Sequence, residues 1–168
     1  MANNSRIKIA ADFERLYPGA SAKATETVMN LVFTADLLLK RIAGLLKPFD
    51  LTPASALVLS ALADSAHPMA PHEIAERLII SRATVTGLID SLERRGYALR
   101  VPHPTDRRML TVELTDSGRV VAHAFRPIVH LNQKAWLQGL SEADQDRLIA
   151  TLHRVQSSLS QESESEPE

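Results

Sequence analysis

The stretch that decides the fold is PHEIAERLIISRATVTGLIDSLERRGYALRVPHPTDRRMLTVELT, from Pro71 to Thr115. It opens with two short segments whose apolar residues recur every three or four positions, which predicts two helices. A brief turn through Ile79 and Ile80 separates them, and Ser81 is placed to cap the second helix. The order of helix, short turn and helix predicts a helix-turn-helix.

The second half of this stretch changes from a helical period to an alternating one. Gly96 is expected to end the second helix, behind two arginines. The segment Leu99–Val101 predicts a strand, His103–Asp106 predicts a turn, and Met109–Leu114 predicts the returning strand. A two-stranded ribbon of this kind, following a helix-turn-helix, predicts a wing. Its second strand is expected to place three apolar side chains on one face, namely Leu110, Val112 and Leu114.

Longer helices are predicted on both sides of the motif. Upstream, a helix is expected from Thr25 to Lys47, ended by Pro48. Its apolar stripe comprises Val28, Leu31, Val32, Ala35, Leu38, Leu39, Ile42 and Leu46. Thr52 and Pro53 predict the start of the next helix, which closes at His67–Pro68. That helix is expected to turn four side chains inward, namely Leu57, Val58, Ala61 and Leu62.

Downstream, Thr115 predicts the cap of a helix that reaches Leu137, with a kink at Pro127. Ser141, with Asp144 three residues on, predicts the start of a last helix. Its apolar positions are Leu148, Leu152, Val155 and Leu159. The outer apolar stripes exceed what so small a centre can cover. Isologous contacts in a homodimer would bury them, so we expect one.

The predicted fold class is mainly α with a small β-wing: a winged helix-turn-helix plus long dimerisation helices. We divide the chain into an N-terminal extension (1–24), a dimerisation helix (25–50) and the DNA-binding domain (51–115). C-terminal dimerisation helices (116–160) and a disordered acidic tail (161–168) follow. The acidic tail carries glutamates but no Lys or Arg, which is typical of a solvated segment.

Composition excludes several classes of protein. The chain has 168 residues and no cysteine, so disulfide scaffolds and thiolate chemistry are excluded. Aromatic residues are only 4%, which argues against a stacking platform for single-stranded nucleic acid. We find no membrane-spanning run and no secretory signal, and we therefore expect a cytoplasmic protein. The histidines lack metal-ligand spacing, and no nucleophile elbow occurs. We expect no metal, no cofactor, no catalytic residue and no enzymatic activity.

Charge is concentrated in the motif. The formal net charge of the chain is −1. Between Arg77 and Arg108 lie seven arginines and three acids, so this segment carries 7 − 3 = +4 and the remainder −5. A local basic face of this size suits a polyanionic partner even on a near-neutral protein.

The second helix of the motif is predicted to enter the major groove of double-stranded DNA. Arg82 could form a paired hydrogen bond with guanine, and the threonine hydroxyls and methyls could contact phosphate or bases. At the wing tip, Arg107 and Arg108 suit the minor groove, and Asp106 could orient an arginine. Arg94, Arg95 and Arg100 are candidates for phosphate contacts. The candidate recognition residues are Ser81, Arg82, Ala83, Thr84, Thr86 and Gly87.

Two segments, TVTGLIDSLERRGYALR and PTDRRMLTVELTDSG, resemble the multiple-antibiotic-resistance-regulator (MarR) family of winged-helix repressors. The matching wing signature is Asp106, Arg108 and the run Leu114-Thr115-Asp116-Ser117-Gly118. By this resemblance Arg108 is the wing arginine, and Asp90 is an acid that pairs with it and braces the wing. Gly87 stands where many family members have arginine.

The resemblance implies a homodimeric transcriptional regulator, usually a repressor, that binds a pseudo-palindromic operator. It also implies release from DNA by a small effector ligand, often aromatic or anionic. A second hypothesis stays open. A winged-helix dimer of this kind could serve as a protein-interaction module without DNA binding.

Overall fold

The architecture follows from the caps and periods of the sequence. The computed structural model describes residues 7–103 and 109–165, with side chains as far as 161. The first helices are α1 (Phe13–Leu16), α2 (Ala22–Leu46), a 3-10 turn (Lys47–Phe49) and α3 (Pro53–Ala63). Then come α4 (Pro71–Leu78), α5 (Arg82–Arg94), β1 (Ala98–Pro102), β2 (Leu110–Leu114), α6 (Asp116–Trp136) and α7 (Glu142–Ser165). The predicted fold class, mainly α with a small β-ribbon, is confirmed.

The described residues divide into two compact units. The first unit runs to Pro127 and the second starts at Ile128. Pro127 lies inside α6, so the division falls directly after the helix residue that lacks a backbone N–H. None of the helices in the described residues is long and apolar enough to cross a membrane.

Side-chain caps start the main helices. The Thr52 hydroxyl accepts a hydrogen bond from the Ser55 amide at 3.1 Å, which confirms the predicted start of α3. Ser21 accepts from the Ala24 amide in the same way, so α2 begins at Ala22, three residues before the predicted Thr25. In the other direction, α3 ends at Ala63 and stops short of the predicted His67–Pro68 closure.

The last helix has a reciprocal cap. The Asp144 amide donates to the Ser141 hydroxyl, and the Asp144 carboxylate accepts from the Ser141 amide at 3.3 Å. Hydrogen bonds from the Ser141 side chain and from Arg147 lower the pKa of Asp144 below its ordinary value. The predicted start of this helix is confirmed. Its predicted end is not, because α7 runs to Ser165 and residues 161–165 of the expected disordered tail are helical.

The core of the first unit lies where α3, α4 and α5 meet the ribbon. Leu59, Ile74, Ile89 and Val112 are fully buried there. One predicted core residue is wrong. Leu57 is 57% exposed, because the buried residues of α3 occupy every side of the helix except the one that carries it.

The ribbon is antiparallel, with Arg100 opposite Val112 and Ala98 opposite Leu114. Met69 adds an isolated bridge to Val112, with backbone hydrogen bonds of 3.0 and 2.8 Å, and covers that part of the ribbon. The predicted inner face is therefore only partly right. Val112 and Leu114 are buried, whereas Leu110 lies beyond this cover and is exposed. Thr111, which lies between Leu110 and Val112, is also buried and donates its hydroxyl to the Val101 carbonyl at 3.3 Å.

The N-terminal extension is held against α2 by one amide side chain. The Asn30 side chain accepts from the Ile7 backbone N–H at 3.1 Å and donates to the Ile7 carbonyl at 2.9 Å. Because both backbone groups of Ile7 bind the same amide side chain, this residue is fixed against that helix. The extension is therefore an ordered part of the first unit from Ile7 onward.

Candidate nucleic-acid interface

Helix α5 has one face inside the protein and one face outside. Val85, Ile89 and Leu92 have no solvent-exposed area, so this stripe fixes the rotation of the helix about its axis. The opposite side of its N-terminal half is exposed. It presents together the six predicted recognition residues, Ser81, Arg82, Ala83, Thr84, Thr86 and Gly87.

The hydroxyl groups at the start of α5 are ordered by local hydrogen bonds. Ser81 accepts from the Thr84 amide at 3.1 Å, and the two hydroxyl oxygens lie 2.7 Å apart. The Thr86 hydroxyl donates to the Arg82 carbonyl at 3.0 Å. Since that bond uses its only proton, the Thr86 oxygen is left as an acceptor, which suits a base amino group better than a phosphate. At Gly87 a β-carbon would meet nothing within 4 Å, so packing does not require glycine there.

An ion cluster joins α5 to the ribbon. The Arg100 guanidinium on β1 donates to the Asp90 carboxylate at 2.7 Å and to the Glu93 carboxylate as well. The Glu93 carboxylate also accepts from the Arg100 backbone amide at 3.0 Å. These side chains are only 25% to 46% exposed, so water screens them less than it screens a surface pair.

This cluster gives Asp90 a partner within the described residues, because the acid pairs with Arg100 at the base of the ribbon. The pairing with the wing arginine Arg108 that the resemblance implied involves a residue outside the described ones and stays a prediction. The predicted wing residues Asp106, Arg107 and Arg108 lie outside the described residues, and their roles stay predictions. Glu93 was missed, although its position three residues after Asp90 puts both acids on one side of α5.

The other arginine candidates differ in their surroundings. Arg95 donates from Nε to the Asp50 carboxylate at 3.0 Å and from a terminal nitrogen to the Ser91 carbonyl at 3.0 Å. It therefore ties the end of α5 to the loop before α3. Arg94 is exposed at the last turn of α5. Phosphate contacts by Arg94, Arg95 and Arg100 stay predictions. Among the described residues, Arg95 and Arg100 are held in ion pairs, whereas Arg94 is exposed and has no ion pair there.

The joint between the ribbon and α6 depends on Thr115. Its hydroxyl donates to the Gly96 carbonyl at 2.6 Å and accepts from the Gly118 amide at 3.0 Å. A β-carbon on residue 118 would lie 1.9 Å from the Tyr97 carbonyl oxygen, so only glycine fits. The predicted cap of α6 is thereby confirmed, and the spacing of Thr115 and Gly118 has a direct steric reason.

The chemistry of a metal site is absent from the part of the chain that the structure describes. No three His, Cys, Asp or Glu side chains converge there in a way that could hold an ion. The exposed side chains on α5 are instead hydrogen-bonding groups on a rigid helix, beside a basic segment. This arrangement suits recognition of a surface, and nucleic acid is the surface whose charge it matches.

Together α3, α4, the turn, α5 and the ribbon form a winged helix-turn-helix domain, which we call the head (residues 51–115). The family model for the MarR family matches residues 49–109, which is nearly the whole head. The head of this chain is therefore a MarR-family winged helix-turn-helix domain.

Known proteins agree with this assignment. The transcriptional repressor YetL of Bacillus subtilis is 33% identical over 86 residues, which are 51% of this chain and 52% of that protein. The chain spans about half the length of the first curated relatives it matches. These relatives are HTH-type transcriptional regulators, not enzymes, as predicted.

Two solved structures extend the likeness beyond the head. The S. aureus MepR–DNA complex has a TM-score of 0.71 at 25% identity, covering 76% of this chain and 94% of that one. CouR from Rhodococcus jostii, solved with p-coumaroyl-CoA bound, has a TM-score of 0.68 at 20% identity. It covers 81% of this chain and 95% of its own, and this likeness concerns the fold alone.

Proposed function

We propose that this chain is a homodimeric transcriptional regulator that binds double-stranded DNA sequence-specifically and acts as a repressor. The observation that carries the proposal is the exposed N-terminal face of α5, set on a stripe that is wholly buried. A helix whose rotation is fixed by its core presents the same side chains to every ligand. That rigidity is what base readout in the major groove requires.

Two side chains on this face have specific counterparts on DNA. Arg82 suits the two acceptors of guanine, which form the commonest specific contact in the major groove. Thr86, left as an acceptor, suits the amino group of adenine or cytosine. The wing arginines Arg107 and Arg108 belong to the proposal on the sequence argument, as minor-groove contacts beside each half-site.

The homodimer is supported by apolar side chains that the described chain leaves uncovered. On α2, Val32 is 59% exposed and Leu39 is 54% exposed, while Leu46 is the only buried residue of that helix. On α7, which belongs to the second unit, Leu148 and Leu159 are also exposed. Patches of this kind mark interaction surfaces, and a second copy supplies a matching one by symmetry. Two heads in one dimer would read the two halves of a pseudo-palindromic operator.

Release by a small aromatic or anionic ligand is the last part of the proposal. A cleft of about 390 Å³ lies at the end of α2 and the start of α3, and its lining includes Lys47, Asp50 and Arg95. Two cations suit a carboxylate ligand, which would compete with Asp50 for Arg95. A ligand acts in this way only through a difference in its affinity for the DNA-bound and free conformations.

The deciding experiment is selection of bound duplexes from a random pool by the purified protein. We expect a pseudo-palindrome with half-sites about one helical turn apart. Affinity for the selected duplex should fall by several powers of ten per tenfold rise in salt, because phosphate contacts release counterions. Benzoate, a small aromatic anion, should weaken the same complex.

A featureless pool would contradict sequence specificity. Absence of binding to any duplex at low salt would overturn the proposal and favour a protein-interaction module built on the same fold. A selected site without symmetry would contradict the dimer while leaving DNA binding in place.

A further inference from the structure

The turn between α4 and α5 contains a residue in an unfavourable backbone conformation. Ile79, just past the last residue of α4, has φ of 55° and ψ of 49°, the left-handed region. Its N–H donates to the Glu76 carbonyl at 3.3 Å, and the Ile80 N–H donates to the Ala75 carbonyl at 3.1 Å. This pair of hydrogen bonds is the usual way to end a helix, and glycine or asparagine usually occupies the left-handed position. A β-branched side chain is among the least suited to it.

The side chain of Ile79 is hardly buried within the protein, so burial does not offset the cost of this backbone conformation. It is 82% exposed, the largest exposure among the large apolar residues that the structure describes. The packing of this turn comes from other residues, since Ile74 is fully buried and Ile80 is partly buried. A strained residue whose side chain remains in solvent indicates a contact made outside the chain.

The position of Ile79 identifies the partner. It lies two residues before Ser81, the cap of α5, and is exposed at the same end of that helix as Arg82 and Ala83. It also lies within the segment that carries the +4 charge excess. A surface that presents cations beside one bulky apolar group matches the major groove, where thymine offers a methyl group among polar base edges.

We propose that Ile79 is a specificity-determining residue that contacts a thymine methyl group in each operator half-site. This inference rests on the proposed function, because it assumes that α5 enters the major groove. It adds to that function an apolar readout by the turn, beside the polar readout by Arg82 and Thr86. It also explains why a side chain that disfavours the left-handed conformation occupies this position.

The test uses a duplex selected by the wild-type protein and the same duplex with deoxyuridine in place of each thymidine in turn. Deoxyuridine removes only the methyl group. At one thymidine per half-site, the wild type should lose about three- to ten-fold in affinity, the effect of one buried methyl-sized contact. The variant Ile79→Gly should show a similar loss on the unmodified duplex and no further loss on the modified one.

Two further variants separate contact from backbone flexibility. Ile79→Asn tolerates the left-handed conformation without the added freedom of glycine and should lose affinity like Ile79→Gly. Ile79→Val keeps a branched apolar side chain and should keep most of the methyl dependence. Both Ile79→Gly and Ile79→Asn should raise the thermal midpoint of unfolding, by about 2–4 °C for a chain of this size. Greater stability combined with weaker binding is the signature of a strained contact residue.

The inference is overturned if Ile79→Gly binds the selected duplex as tightly as the wild type. It is overturned as well if the affinity of Ile79→Gly, relative to that of the wild type, falls by the same factor on the unmodified and the modified duplex. It is also overturned if no thymidine replacement affects the wild type. Failure of the proposed function would differ, since the wild type itself would then select no duplex.

Discussion

Helices α5 and α2 have similar spacings of apolar residues, but they differ in how far those residues are buried. On α5, Val85, Ile89 and Leu92 are completely buried and the exposed face is polar. On α2, apolar side chains of the predicted stripe are exposed, as are Phe33 and Leu37 on another side of the helix. The apolar stripe of α5 is thus buried by other parts of the same chain, whereas most of the apolar stripe of α2 stays exposed.

The difference separates two kinds of sequence information. A stripe that is covered locally determines how a helix is rotated and which residues face outward for recognition. An apolar stripe that stays exposed indicates that a second molecule is required, but it does not show how that molecule is placed. One side of α2, which we call the polar sector, carries Lys23, Thr27, Asn30, Thr34 and Arg41.

The largest effect is expected from charging the uncovered stripe. The double variant Val32→Glu, Leu39→Glu should be monomeric in sedimentation, because a dimer would bury four unpaired carboxylates. Losing two-site binding should lower affinity for the operator by about 100-fold or more. The matched control Thr34→Glu places one acid in the polar sector and should stay dimeric. A dimeric double variant would contradict the assignment of α2 to the dimer interface.

A smaller effect is expected from the exposed face of α5. Arg82→Ala should weaken the selected duplex by about 10- to 100-fold, the range of one paired base contact, while hardly changing affinity for random duplex. Repeating the selection should show relaxed preference at one position. Arg94→Ala, at the other end of the helix, is the comparison. If Arg94 contacts phosphate, both affinities should fall together and the salt slope should fall by about 1. Equal losses on both duplexes for Arg82→Ala would make it a phosphate contact.

The smallest effect concerns the brace between α5 and the ribbon. Arg100→Met should lower the free energy of unfolding by about 1 kcal/mol, because two carboxylates lose a partly buried partner. Arg147→Met removes an exposed partner of Asp144 on α7 and should change the free energy of unfolding much less. Urea unfolding of both variants measures the difference. Equal effects would show that the cluster at Asp90 and Glu93 is an ordinary surface pair.

Local signals predicted most of the head. Thr52 and Ser81 cap helices where expected, and Gly96 takes the left-handed conformation after α5, with φ of 69°. These features depend on a few neighbouring residues and therefore can be recognised in a single sequence. The exposed recognition face could also be predicted, because it consists of the residues of α5 that lie outside its buried apolar stripe.

Tertiary context decided the rest. Leu57 is apolar and well spaced, but only the arrangement of elements around α3 shows that its side faces outward. Met69 decides which part of the ribbon is covered, and it is distant in sequence from Val112. The pairing of Asp90 with Arg100 could not be predicted without knowing how β1 lies against α5. The strain at Ile79 was invisible because two isoleucines in a turn indicate nothing about backbone angles.

The joint at Thr115 has a consequence for how the protein can evolve. One hydroxyl links Gly96, two residues past the end of α5, to the end of the ribbon and the first turn of α6. The Tyr97 carbonyl leaves no room for a side chain at residue 118. The angle at which α6 leaves the head therefore depends on several residues at once. New operator preferences are open to single substitutions on the outer surface of α5, whereas a new departure angle would need several coordinated changes.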